Sequence, residues 1–226
     1  LLHVLPVFGL QHQGEHEEAG QNEQRQDPPL LARGLGRFAH VGEEIHQVRD
    51  LLVAESANVS DAGAQLLVQN QNRWREAAAV MCGVADPAAT PSADQQTCLQ
   101  NRFRARLQEA EGVVQEMGGY TFQRMELVDA APVRAQLAAA SGGVEASAIE
   151  RNIRFPRIDG QQTPAIRRFN ELVAQEPEYR LQDGASEIVD YTIAYAGPEV
   201  ISVRFIKSVE ALGAANVTNT LNAVTV

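Results

Sequence analysis

The stretch Ser92-Ala93-Asp94-Gln95-Gln96-Thr97-Cys98-Leu99-Gln100-Asn101-Arg102-Phe103-Arg104-Ala105-Arg106-Leu107-Gln108-Glu109-Ala110 is the clearest element of the chain. Ser92 and Gln95 fit a capping box, in which each side chain bonds the other residue's backbone amide. Pro91 stands just before it. Leu99, Phe103, Leu107, Ala110, Val114 and Met117 then recur in steps of three or four, giving one apolar helical face. On this reading Gly118-Gly119 stops the helix. Arg102, Arg104 and Arg106 read as a solvated basic face, with mild repulsion between Arg102 and Arg106.

Upstream, residues 60–81 read as a partner helix. Ser60 is the candidate cap. Leu67, Trp74, Ala78 and Met81 keep helical spacing, while Asn70 and Gln71 interrupt the stripe. A lone Trp on such a face reads as core. Gly83 to Pro91 reads as a loop. Cys82 ends the first helix and Cys98 lies near the start of the second, with fifteen residues between them. A metal site needs further Cys or His ligands nearby, and none are there. A disulfide pair Cys82, Cys98 is favoured over two free thiols. It would pin an antiparallel helical hairpin and, by constraining the unfolded chain, contribute about 3 kcal/mol. Such a bridge places the protein in an oxidising compartment, periplasmic or secreted.

A third helical stretch is expected over 121–140, divided at Pro132, with a linker at 141–150. Beyond it the period changes. Ile153, Phe155 and Ile158 around Pro156 read as a short strand or edge segment. Thr163-Pro164 opens a helix to about Gln175, with the face Ile166, Phe169, Asn170 and Val173. Val189, Tyr191, Ile193 and Tyr195 alternate with polar or small residues, as do Ile201, Val203 and Phe205. Tyr191 and Tyr195 read as core-facing. A last strand runs through 217–226 and leaves a sheet edge that something should cover. The fold class is therefore α+β: a disulfide-pinned helical hairpin module over 59–140, then a small antiparallel sheet with one packed helix over 151–226.

Residues 1–58 read as a poorly structured, atypical segment. All five histidines fall here (His3, His12, His16, His40, His46), and Gln11 to Pro29 carries almost no large apolar side chain. The chain begins with Leu1, which suggests processing, trimming or a fragment. His12-Gln13-Gly14-Glu15-His16 matches a zinc-peptidase pattern, but Gly14 weakens the helix that chemistry needs, so a chance match is the better reading. Asp159-Gly160 reads as a turn signal. With no histidine expected in the folded part, no Ser-His-Asp or Cys-His arrangement is suggested. The chain is accordingly read as no enzyme, with no catalytic, cofactor or metal residues.

The net charge of -10 lacks the basic face that nucleic acid requires. It favours basic partners. Lys207 is the only lysine beside many arginines, which suggests a GC-rich bacterial genome. No apolar run of about 18 residues exists, so no membrane span is expected.

Two resemblances add to this. Gln69-Asn70-Gln71-Asn72-Arg73-Trp74-Arg75, then Cys82, then Cys98 opening an Arg-containing helix to Leu107 resemble the LprI-type lysozyme-inhibitor module over about 62–125. Ile153-Arg154-Phe155-Pro156-Arg157-Ile158, Phe169-Asn170, and Tyr191 to Tyr195 with Ile201 to Phe205 resemble a second domain over about 151–226. That domain occurs in an extracytoplasmic anti-sigma factor that senses lysozyme and beside peptidoglycan deacetylases. Where that family has a Gly-Gly-Ala-His type turn, this chain has Gly213-Ala214-Ala215-Asn216. Both resemblances imply a non-catalytic bacterial envelope protein with lysozyme or a peptidoglycan-related protein as partner. The alternative they imply is an accessory domain of a peptidoglycan-modifying enzyme such as a deacetylase.

Overall fold

The computed structural model describes residues 43–86, 89–140, 148–175 and 184–226. The His12–His16 pattern and the polar stretch Gln11–Pro29 lie outside the described residues. Eleven elements follow in order: α1 (Glu43–Ser56), α2 (Asp61–Met81), α3 (Ala93–Ala110), β1 (Val114–Met117), β2 (Tyr120–Pro132), α4 (Ala135–Ala140), β3 (Ala148–Ile158), α5 (Pro164–Ala174), β4 (Ala185–Ala196), β5 (Ile201–Ala211) and β6 (Thr218–Thr225).

The strands form one six-stranded sheet in sequential order. Neighbours are antiparallel except β3 and β4, which run parallel with α5 between them in the chain. The sheet curls. Gly118, in the turn between β1 and β2, lies against Ala196 at the end of β4. The Tyr191 hydroxyl on β4 bonds Gln115 on β1.

Local chemistry explains the element ends. The Ser60 hydroxyl accepts from the Gly63 amide and caps α2, and Thr163 caps α5 through the Ile166 amide, with Pro164 in the first turn. The Ser92–Gln95 capping box is present in both directions. These three starts agree with the sequence reading. The end of α3 does not. The helix stops at Ala110 because Gly112 turns the chain at φ +71. Val114 and Met117 therefore belong to β1, not to a helical face. Gly118 and Gly119, at φ +61 and +82, supply the two-residue turn of the β1–β2 hairpin.

Two further expectations are corrected. Residues 121–132 are strand, paired with β3 from Phe122 to Pro132, and only Ala135–Ala140 of the expected third helix is helical. Glu43–Ser56, read within the poorly structured segment, is a helix that buries Ile45, Val48 and Leu52 at helical spacing. The stretch read as a helical module and the stretch read as a separate α+β domain contribute strands to the same sheet.

The core has two clusters. One joins the three long N-terminal helices through Val48, Leu67, Trp74, Leu99 and Phe103, and closes on the sheet at Val128. The other lies between the sheet and α5, around Phe122, Ile153, Ile158, Phe169, Val173 and Val203. The Asn170 side chain clamps α5 to β3, accepting from the Ile158 amide and donating to its carbonyl. The Cys82–Cys98 disulfide is formed, with Cα atoms 5.7 Å apart, and ties the end of α2 to the start of α3. Among the described residues no helix is long and apolar enough to cross a membrane.

Candidate functional site

The site begins with polar residues standing in helical stripes where apolar ones are expected. On α2 these are Asn70 and Gln71, both buried. Asn70 meets β2 beyond the last residue paired with β1. Its amide donates to the Arg124 carbonyl at 2.9 Å and its oxygen accepts from the Glu126 amide at 3.3 Å. One side chain thus replaces a rung of the missing neighbour strand. A backbone edge buried against a helix needs such a partner, because an unpaired buried amide or carbonyl costs about as much as a lost hydrogen bond.

On α3 the intruder is Arg106, 2% exposed beneath the helix. Its Nη1 and Nη2 donate to the two carboxylate oxygens of Glu126 at 3.0 and 2.6 Å, and its Nε donates to Gln71 Oε1 at 3.1 Å. The guanidinium lies 5.2 Å from the Trp74 ring centre. Arg124 Nε adds a third bond to Glu126 at 2.7 Å. Burial alone would raise the Glu126 pKa, but the charge and bonds of Arg106, with Arg124 and Arg154, outweigh it and hold the carboxyl at about 2. Burial opposes the Arg154 charge too, and Glu109, Glu126 and Asp190 reverse that, so its pKa rises. A carboxylate locked ionised and saturated with donors is a counter-ion, not a proton carrier. Burial pushes the Tyr191 phenol up to about 12, so it stays protonated across the neutral range.

Above this network, between α3 and the sheet, lies an open groove of about 430 Å³. Its polar lining includes Arg102, Arg106, Glu109, Glu150, Asn152 and Arg154. Arg102 pairs with Glu150 at 3.0 Å and Arg154 with Glu109 at 2.9 Å. Ile188 continues the floor and is 47% exposed. Beside it, directly opposed residues across the strands form the row Asp190–Ile206–Leu221, with Ile206 and Leu221 also exposed.

The structure separates the three arginines that the sequence grouped on one solvated face. Arg104 is exposed and pairs with Glu44, Arg102 is half-buried, and Arg106 is buried. Position 106 follows Leu99 and Phe103 and precedes Ala110 at helical steps, on the stripe that faces inward. That spacing was the available signal, and two buried amides on α2 were its counterpart. Trp74 is core, as read, packed edge-on to Phe103 at 4.9 Å. Tyr191 packs against the core, but Tyr195 does not. A register shift between Ile193 and Tyr195 breaks the alternation and leaves Tyr195 54% exposed. Asp159-Gly160 is a turn, with Gly160 at φ +79. Asp159 also accepts from the Ser60 amide and hydroxyl and from Arg157, tying the start of α2 to the end of β3. His46 lies in α1, within the folded part, and is exposed. Among the described residues no group of three or more His, Cys, Asp or Glu side chains is placed to hold a metal ion.

No protein-family model matches the chain, and no curated protein matches it.

Proposed function

We propose that the protein is a non-catalytic, exported component of the bacterial envelope that binds lysozyme and inhibits it. The observation that carries the reading is the Cys82–Cys98 bridge, a linkage that persists in oxidising compartments and is rare in reducing ones. Two features support the partner. The net charge of -10 speeds encounter with a basic enzyme. The α3 and β3–β5 sequences resemble two families with members that meet lysozyme. The exposed residues Ile188, Ile206 and Leu221 give the contact an apolar centre beside the polar groove.

The test is binding and inhibition of a purified basic lysozyme at low and high salt. The reading expects binding that weakens as salt rises and a slowed lysis of cell-wall substrate. No binding at either salt concentration overturns it.

A further inference from the structure

β6 is an edge strand of the sheet, and among the described residues no strand pairs with its outer side. Every residue of it but Val224 is exposed, so no described element covers either face. An open edge pairs readily with another strand, and native proteins guard against this with short length, charge, proline or a bulge. β1, at the opposite edge, has such guards: it is four residues long and carries Glu116. β6 has none of them. It runs for eight residues in unbroken register with β5, and from Leu212 to Val226 the chain holds no charged residue and no proline. We infer that β6 pairs antiparallel with β6 of a second copy of this chain, closing a two-fold dimer in which the two sheets become one. This goes beyond lysozyme binding and does not rest on it.

The backbone sets the register. Ile201 and Val226 exchange both of their hydrogen bonds, at 2.8 and 2.9 Å. Counting back in twos from that pair, Val224, Asn222, Thr220 and Thr218 turn their amides and carbonyls toward β5. Asn219, Leu221, Ala223 and Thr225 therefore turn theirs to the open edge. A two-fold axis at Leu221, which is 65% exposed, sets that residue opposite the partner's Leu221 and Asn219 opposite the partner's Ala223. Each of these pairs exchanges two backbone bonds. Leu221 lies directly across from exposed Ile206, so the axis joins two such apolar pairs into one row. On the other face Thr220 meets the partner's Asn222, polar against polar. Charge selects a second copy as the occupant. At a net charge of -10 two copies repel over most of their surface, and this uncharged edge lets them approach. A charged strand would find no counter-charge on β6, whereas β6 itself is a neutral complement. One strand pair is a small contact beside the about 1,200–2,000 Å² that stable complexes bury, so the dimer dissociates on dilution.

Sedimentation velocity of the full chain over a concentration series, without lysozyme, reads the association. The mass is expected to rise from one copy toward two, and at lower concentration in high salt, which screens the repulsion. That salt dependence is opposite in sign to the one expected for lysozyme binding. Leu221→Lys sets like charges face to face and is expected to weaken the dimer by about tenfold or more. Ala223→Pro removes an amide that points outward and none that bonds β5, so it is expected to keep the chain monomeric while melting as the wild type does. Thr220 and the partner's Asn222 form a pair without mutual backbone bonds, with Cα atoms about 4.5 Å apart, within reach of a disulfide. An oxidised mixture of Thr220→Cys and Asn222→Cys chains is therefore expected to cross-link faster than either chain alone. A chain monomeric at every concentration and both salts, assembly beyond two copies, a dimer that neither Leu221→Lys nor Ala223→Pro weakens, or a mixture that cross-links no faster than its parts overturns the proposal.

Discussion

Replacing Glu126 by Gln keeps the shape of the side chain and removes one charge from the centre of the helix–sheet junction. In the folded protein the carboxyl sits at about 2 instead of its ordinary 4.5. That shift corresponds to about 3 kcal/mol of stability. The sign is fixed by the depression: the contribution is complete above about pH 4.5 and drains away as pH falls toward 2. Gln also leaves Arg106, 2% exposed, with only the more distant Glu109 carboxylate, at 3.7 Å, as counter-charge. Breaking a buried pair from one side costs about 3–5 kcal/mol. For a chain of this size that lowers the melting temperature by roughly 10 °C. Urea unfolding of wild type, Glu126→Gln, Arg106→Met and the double variant, each from pH 7 to pH 3, measures both effects. The double variant should be less destabilised than the sum of the singles, by at least about 1 kcal/mol. Glu126→Gln should lose the acid-dependent part of the wild-type stability curve. A variant within about 0.5 kcal/mol of wild type, with an unchanged pH profile, would refute the buried counter-ion account.

Asn70→Ala should cost about 2–3 kcal/mol in chemical denaturation, because it leaves a donor and an acceptor on β2 unpaired and buried. Gly118→Ala should destabilise by more than 2 kcal/mol or shift the hairpin. A Cβ there would fall against the Ala196 carbonyl, and φ is +61, a region that L residues occupy at a cost. Reducing the Cys82–Cys98 bridge should cost about 3 kcal/mol, read as a lowered urea midpoint in the presence of reductant. Asp159→Asn should weaken the junction of α2 with β3 and reduce acid sensitivity, since Asp159 is held below its ordinary pKa. Burial alone would raise that pKa, but bonds from Ser60 and Arg157 outweigh it, so their contribution fades as pH falls. Equal melting curves of Asp159→Asn and wild type at pH 7 and pH 3 count against that role.

Elements with strong local signals were legible in the sequence. The caps of α2, α3 and α5 are written in Ser60, Ser92-Gln95 and Thr163-Pro164, and each forms the bonds its chemistry implies. The alternation at Val189–Ile193 and Ile201–Phe205 gives β4 and β5, because one face of each is buried and the other is not. β2 was hidden for the opposite reason. Phe122, Gln123, Met125, Glu126 and Val128 are all buried, so no alternation in polarity survives, and charged Glu126 faces the interior. Its partner Arg106 looked solvated because arginine on a helix ordinarily is. α1 was obscured by the polar, histidine-bearing stretch before it, although Ile45, Val48 and Leu52 kept helical steps. The groove could not be read from sequence, since Arg102 and Glu150 meet across it only through tertiary packing.

The export assignment is tested most directly on protein isolated from its native source, with thiols blocked by an alkylating reagent and the mass measured before and after reduction. The account predicts no label before reduction and two labels afterwards, on Cys82 and Cys98. Two labels without reductant would contradict it, because a protein kept with both thiols free resides where such bridges do not persist.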